Sequence, residues 1–379
     1  MLVRRSLCSL LLVALAVPVA LAVPVAHAQA PSPSALYADD ERQPVQISVG
    51  GVYQTYSNDD EEITEFSIPL SLRLPFGDNI ALSLQTNYAT VDVSEDGEEV
   101  ATVSGIADVQ AIASYFQPVG AASLVFSLGV NATTGNSALA FDEYQTLTIA
   151  GQTAYDLRVP TFGQGLRVVP AVTYAFPVGE RVALGLGASY QYRGPYEPLE
   201  DLPDAYDPGE EVLLTAGADL EITPTSSVSV DASFGLTGDD EFGTEGNMRV
   251  YEPGNTVAVT GQYLLLWGFH ELRAVARYRA RGTASFPDSP VNAETAVPNQ
   301  IQFLTDGRFE LSPTFDLGAR ARVRLFGESA IFGEPLTLVD LGLFPAFMAT
   351  ERLGLTGQFV YTLGSFSGFT AGAGLRLAL

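Results

Sequence analysis

Arginines at two-residue spacing are the clearest chemical pattern in this chain. Within residues 272–281, Arg273, Arg277, Arg279 and Arg281 alternate with Leu272, Ala274, Ala276, Tyr278 and Ala280. Within residues 319–325, Arg320, Arg322 and Arg324 alternate with Ala319, Ala321, Val323 and Leu325, and Arg308 lies between the two runs. A period of two sends alternate side chains to opposite faces of an extended strand, so each run has one apolar and one cationic face. Such a face attracts anions or pairs with acids. Neighbouring like charges repel, so it needs water, counter-ions or carboxylates close by. Asp306, Glu310, Asp316 and Asp340 are the acids nearest in sequence.

Other chemistry is scarce. Beyond His27 the only histidine is His270, in a segment expected to be a short turn, with no serine beside it for a serine–histidine hydrolase. Cys8 is the single cysteine, so no disulfide or thiol chemistry is expected in the folded chain. No His/Cys cluster offers a transition-metal site, and the acidic stretch 204–211 lacks the ligand order of an EF-hand. No catalytic residue, metal or cofactor is expected, and the chain reads as a non-enzyme.

The start of the sequence reads as an export signal spanning residues 1–28. Arg4 and Arg5 precede an apolar stretch over 7–21, interrupted at Pro18, and Ala26, His27 and Ala28 form a small-residue cleavage site. Residues 29–44, rich in Pro and Ser and then acidic, read as a short periplasmic tail. Without the signal, 44 acidic residues face 17 basic ones, a net charge of −27. All 19 basic residues of the chain are arginine. This acidity argues against nucleic acid as a partner and fits either a surface solvated at high salt or simply a set of acidic loops.

From residue 45 to residue 379 the two-residue period takes over. Phe66, Ile68, Leu70, Leu72 and Leu74 alternate with small or polar residues, as do Ile80, Leu82 and Leu84, and later Val182, Leu184 and Leu186. Short turns fall near 75–79, 117–121, 177–181, 223–227, 267–271, 312–314 and 348–352. Between them lie loops near 57–62, 93–104, 134–164, 194–210, 238–254, 283–300 and 327–335, with a small last one at 364–367. The long set carries the acid, for example Asp59, Asp60, Glu61 and Glu62, or Asp239, Asp240 and Glu241. Phe76, Phe116, Phe176, Trp267, Phe269, Phe315 and Phe347 gather at the short-turn ends, as an interfacial girdle would. After the signal no apolar stretch reaches the ~20 residues of a spanning helix.

Turns on one side and long acidic loops on the other predict an all-β fold: a single transmembrane antiparallel up-and-down β-barrel in the outer membrane of a Gram-negative-type envelope. The connections give 16 strands, with 14 or 12 as alternatives because Pro345 interrupts a late strand. An arginine facing lipid at mid-depth costs about 2–4 kcal/mol, so the arginine face must line the lumen. Two uses of that wall stay open: a basic pore lining that attracts anionic solutes, or the interior of a closed, plugged barrel.

Three resemblances add to this. The longest loop, 134–164, follows the fifth predicted strand and carries Asp142, Glu143 and later Asp156. Folded inward it would bring Asp142 and Glu143 towards the arginines, which resembles general porins, whose third outer loop narrows the pore with acids facing a basic cluster. The last strand, with Phe369, Ala371, Ala373, Leu375, Leu377 and Leu379 on one face, resembles the C-terminal insertion signal of outer-membrane barrels, although Leu379 stands where an aromatic is usual. Ser104, Gly105, Ile106, Ala107 and Asp108, with Asn131, Ala132, Thr133, Thr134 and Gly135, resemble the "SGLGD" and "lPTG" segments of outer-membrane transporters linked to aromatic degradation, the meta-pathway phenol family. That likeness implies uptake of small apolar compounds.

The expected function is a channel for passive diffusion or uptake of small solutes past an arginine-rich wall. The alternatives are an uptake channel for apolar or aromatic compounds and a structural or adhesion barrel with acidic outer loops. Expected partners are outer-membrane lipid, small solutes and the barrel-assembly machinery.

Overall fold

A computed structural model describes residues 45–58, 61–95, 97–200, 205–244, 247–285, 297–329 and 333–379. The expected signal and periplasmic tail lie outside the described residues, as do parts of the loops near 283–300 and 327–335. The elements in chain order are β1 (Gln46–Ser57), β2 (Glu61–Phe76), β3 (Ile80–Glu95), β4 (Glu98–Ile106), β5 (Val109–Val119), β6 (Ala122–Ala132), helix α1 (Phe141–Ala150), β7 (Arg167–Val178) and β8 (Val182–Arg193). They continue with β9 (Ala205–Asp207), β10 (Glu211–Thr223), β11 (Ser226–Thr237), β12 (Asp240–Thr244), β13 (Asn247–Tyr251), β14 (Thr256–Trp267), β15 (His270–Arg281) and β16 (Gln300–Ser312). The last four are β17 (Phe315–Phe326), β18 (Leu336–Met348), β19 (Leu353–Gly364) and β20 (Ser367–Ala378).

Each barrel strand pairs antiparallel with its neighbour, and β1 pairs with both β2 and β20, so the sheet has no edge. β4 and β5 both pair with β3 and are two halves of one strand, split at Ala107 and Asp108. With β9, β12 and β13 forming a separate three-stranded sheet, the barrel has 16 strands. Closure satisfies every ladder hydrogen bond within the wall, which is what lets a sheet cross a hydrocarbon layer.

The two faces differ as the alternation predicts. Outward stand Leu186 on β8, Val230 on β11, Phe303 on β16, Leu341 on β18 and Phe359 on β19, all large, apolar and exposed. Inward, one continuous register row runs Ala175, Gly185, Gly217, Asp231, Thr260, Arg277, Gln302 and Arg324, small or polar throughout. An apolar outer band around a wet interior is the arrangement of outer-membrane barrels. At the short-turn end Phe76, Trp267, Phe269 and Phe347 are exposed, whereas Phe116 turns inward and Tyr115 takes the outer place. The turns there use glycines at positive φ, such as Gly77 (62°) and Gly268 (61°), where other residues are strained.

The stretch at 93–104, expected as a loop, is instead a hairpin that carries β3 and β4 past the barrel rim, with Glu95 opposite Glu98. Its inward residues Val91, Val93 and Val103 are apolar and buried, so the alternation persists where the acidic tip alone suggested an irregular loop.

Candidate functional site

The inward arginines form two groups separated by their partners. Asp306 on β16 lies in register between Arg273 on β15 and Arg320 on β17, and bonds both at 2.6 Å. Arg308 pairs with Asp316 at 2.6 Å, and the Arg320 guanidinium carbon also lies 4.7 Å from the Phe344 ring centroid. Asp340 on β18 is fully buried and accepts from Arg322 Nε (2.6 Å), Arg324 Nε (3.0 Å), Arg324 Nη2 (3.1 Å) and Thr362 Oγ1 (2.7 Å). A carboxylate with four donors, three of them on two charged guanidinium groups, is held far more firmly than an exposed pair. Arg277, Arg279 and Arg281 follow one another on the same inward face of β15, opposite Thr260, Ala258 and Thr256 of β14. Of the acids nearest in sequence, Glu310 enters none of these ion pairs.

The longest loop folds into the barrel. Its helix α1 starts where the Glu143 carboxylate accepts from the Ala140 backbone N–H (3.0 Å) and ends where the Gly151 N–H donates to the Leu147 carbonyl. Thr146, Leu147, Ile149 and Ala150 are its buried side, and Thr146 Oγ1 donates to the Ala101 carbonyl of β4. The segment after it supplies Ala154, Tyr155, Leu157, Val159 and Phe162 to a dry cluster with Tyr56, Ile63, Val91, Val93, Val103, Phe326, Leu338 and Phe366 of the wall and outer turns. Each large apolar side chain so buried contributes about 1.5–3 kcal/mol. The dry contacts of the segment are thus with β1–β4, β17 and β18, and Arg158 extends its polar contacts to β19.

Polar contacts fix the segment in place. Tyr155 packs its ring against Phe366 (4.9 Å) and Tyr56 (5.8 Å) and donates its hydroxyl to Glu61 at 2.6 Å. Burial, then the charge of Glu61, holds the Tyr155 phenol well above its ordinary range, so it stays a donor. The Val159 N–H donates to the Glu65 carboxylate (3.0 Å), Arg324 Nη1 to the Ala154 carbonyl (2.7 Å) and Arg158 Nη2 to Gln358 (3.0 Å). Asp156 completes the join with an ion pair to Arg322 at 2.7 Å.

Of the three acids of this loop, Asp156 pairs with an arginine of the wall. Asp142 and Glu143 do not reach the row: their carboxylates accept from backbone N–H groups in the first turn of α1, where the helix dipole and unpaired donors favour negative charge. His270, at the short-turn end, accepts the Glu310 N–H at Nδ1 (3.2 Å) and forms a three-ring cluster with Trp267 and Phe309.

Both ends of the inserted segment are tied at the break between β4 and β5. The Asp108 carboxylate accepts from the backbone N–H groups of Thr134 (3.0 Å), Gly135 (2.9 Å) and Gln164 (3.1 Å), while its own N–H donates to the Phe162 carbonyl. Thr134 Oγ1 accepts from the Val109 N–H at 2.8 Å. A Cβ on Gly135 would sit 2.0 Å from the Phe162 carbonyl oxygen, so only glycine fits. The two motif segments at 104–109 and 129–135 thus meet in one hydrogen-bonded knot.

The protein is an outer-membrane β-barrel. No family model matches its sequence, and no curated protein matches it. Among solved structures it is similar to a bacterial polysaccharide outer membrane secretin, at 10% identity over 90% of this chain and 100% of that chain with a TM-score of 0.47. It is also similar to OpdL of Pseudomonas aeruginosa (8% identity, 89% and 98%, TM-score 0.45). A third is the COG4313 outer membrane channel of Pseudomonas putida F1 (11% identity, 90% and 99%, TM-score 0.37).

Several contributors escaped the sequence reading. Asp108 was visible only as part of a motif, and Tyr155, Glu65 and the pair Arg167 and Arg193 were not singled out. Ile63, Val91, Val93 and Val103 carried a usable signal: each is apolar at the phase that should face water.

Proposed function

We propose that this barrel is a non-enzymatic channel through which small solutes diffuse passively, with its charge preference set by the inward arginines. The observation that carries the reading is the one-sided insertion. The folded-in segment packs on β1–β4, β17 and β18, while inner-face residues of β7, β8, β10, β11 and β15 such as Thr173, Gly187, Thr215, Ser233 and Arg279 keep partial solvent access. A barrel of about 16 strands is wide enough for an aqueous path. Pore-lining charge of one sign concentrates the opposite ion. Arg273, Arg308, Arg320, Arg322 and Arg324 are balanced by aspartates. Arg279, part-exposed on the inner face of β15, is the residue whose replacement tests selectivity, and Asp156 is the acid that narrows the path. The chain would reach the membrane through a signal removed near residue 28 and the barrel-assembly machinery.

The test is conductance of the purified barrel in planar bilayers. The expected result is a steady current favouring anions, with Arg279→Gln shifting the reversal potential towards cations. Absence of current would sink the channel reading, and an unchanged potential would sink the charge selection.

A second reading, uptake of small apolar compounds, gains support from the knot at Asp108, which joins both motif segments at a break in the wall. Faster entry of a small aromatic hydrocarbon into liposomes carrying the barrel, without ionic current, would favour it.

A further inference from the structure

Arg167 opens β7 and Arg193 closes β8, and the two are direct register partners on the inward face, with Asn131 of β6 beside Arg167. Two guanidinium groups side by side repel unless an anion balances them. Asp108, Glu211 and Asp240 lie within electrostatic reach of the pair, and Glu211 at the start of β10 forms no ion pair with either arginine among the described residues. Asp108 accepts three backbone N–H groups, and Asp240 accepts from the Tyr206 hydroxyl (2.5 Å) and the Gly209 N–H (2.7 Å). Among the described residues no carboxylate forms an ion pair with either arginine.

Arg193 carries a more specific sign. Its Nε and Nη2 are buried and meet no acceptor among the described residues. These two atoms form the edge of a guanidinium that takes both oxygens of a carboxylate in parallel hydrogen bonds. Buried donors without acceptors are rare in native folds and call for a partner. Beside them Asn131, Gln164, Arg167, Arg193, Tyr196 and Pro208 line a small cavity of about 20 Å3, room for one oxygen-sized group.

We propose that Arg193, supported by Arg167, binds the carboxylate group of a small organic acid at the long-loop end of the lumen. One carboxylate oxygen enters the cavity, the Arg193 edge holds the pair of oxygens, and Arg167 supplies the second positive charge. The site extends the channel reading by naming a solute class, but binding can be measured whether or not current flows.

The full barrel in detergent would be titrated with 13C-acetate and followed by saturation-transfer NMR at fixed ionic strength. The expected result is saturable binding that Arg193→Lys weakens at least tenfold, since an ammonium lacks the two-donor edge. Arg193→Gln removes binding, and Arg352→Gln, in an exposed short turn, leaves it unchanged. Heat-modifiable migration in gels reports whether each variant is folded, and Arg167→Lys offers a second route if Arg193 variants are not. The proposal fails if wild type shows no saturable signal or if folded Arg193→Gln binds like wild type. It fails equally if chloride or sulfate displaces acetate at the same concentration as unlabelled acetate.

Discussion

Arg322 holds two acids at once: its Nη2 lies 2.7 Å from Asp156 of the inserted segment, and its Nε lies 2.6 Å from Asp340 of the wall. One guanidinium thereby fastens the segment to the barrel. The fork geometry of arginine makes this possible, since a lysine offers no second edge.

Asp156 is held in the left-handed region, at φ 56°. That backbone is tolerated by Asp, Asn and Gly, and costs other residues about 1–2 kcal/mol. The Asp156 side chain is half exposed, so its ion pair is worth less than about 1 kcal/mol. Asp156→Asn and Asp156→Gly should therefore be mild, whereas Asp156→Val should cost about 2 kcal/mol or more. Midpoints of heat-induced gel shift would rank the three, and a Val variant as stable as the Gly variant would contradict the backbone argument.

Asp340 and Asp306 invite a direct comparison. Both bridge two arginines, but Asp340 is fully buried while Asp306 keeps part of its surface. Removing one member of a buried charge network leaves the others uncompensated, at about 3–5 kcal/mol. Asp340→Ala should thus lower the unfolding midpoint far more than Asp306→Ala, measured in the same detergent. Equal losses would mean that the Asp340 network is no drier than the outer one.

The knot at Asp108 makes a prediction about local order. Asp108→Asn keeps one acceptor oxygen and places an amide where a carboxylate oxygen accepts the Gln164 N–H, a loss of about 1–3 kcal/mol. Gly135→Ala forces its Cβ against the Phe162 carbonyl and should be worse. In both variants limited proteolysis should cut within 134–164 while the barrel survives. Resistance equal to wild type would show that the dry cluster alone retains the segment.

Strand number and the alternation of the two strand faces were legible in the sequence, because one residue of slip would have put charge into lipid. The destination of the longest loop was half legible. Its acids pointed to the arginines, but Asp142 and Glu143 sit where a helix start claims them, and no residue pattern at 141–150 was strong enough to reveal that helix beforehand. The partner surface was written elsewhere, in the apolar inward residues Ile63, Val91, Val93 and Val103, which make sense only once a cover is assumed. Pairs such as Arg167 with Arg193, or Asp108 with Gly135, arise from register and chain return, which composition does not encode.

The inserted helix offers the most direct test of the lumen itself. α1 packs against β3 and β4 through Thr146, Leu147, Ile149 and Ala150, and its removal would uncover Val91, Val93 and Val103. Replacing residues 141–150 by a short Gly-Ser link keeps the Asp108 knot, which binds Thr134, Gly135 and Gln164 outside that stretch. Uncovering three valines to water costs several kcal/mol at about 25 cal/mol per Å2, so the variant should unfold at lower temperature. Its single-channel conductance should rise, because the helix no longer narrows the mouth beside the β3–β4 hairpin, while its ion preference stays unchanged. A lower melting midpoint without any gain in conductance would place α1 away from the solute path and leave it a purely structural filling.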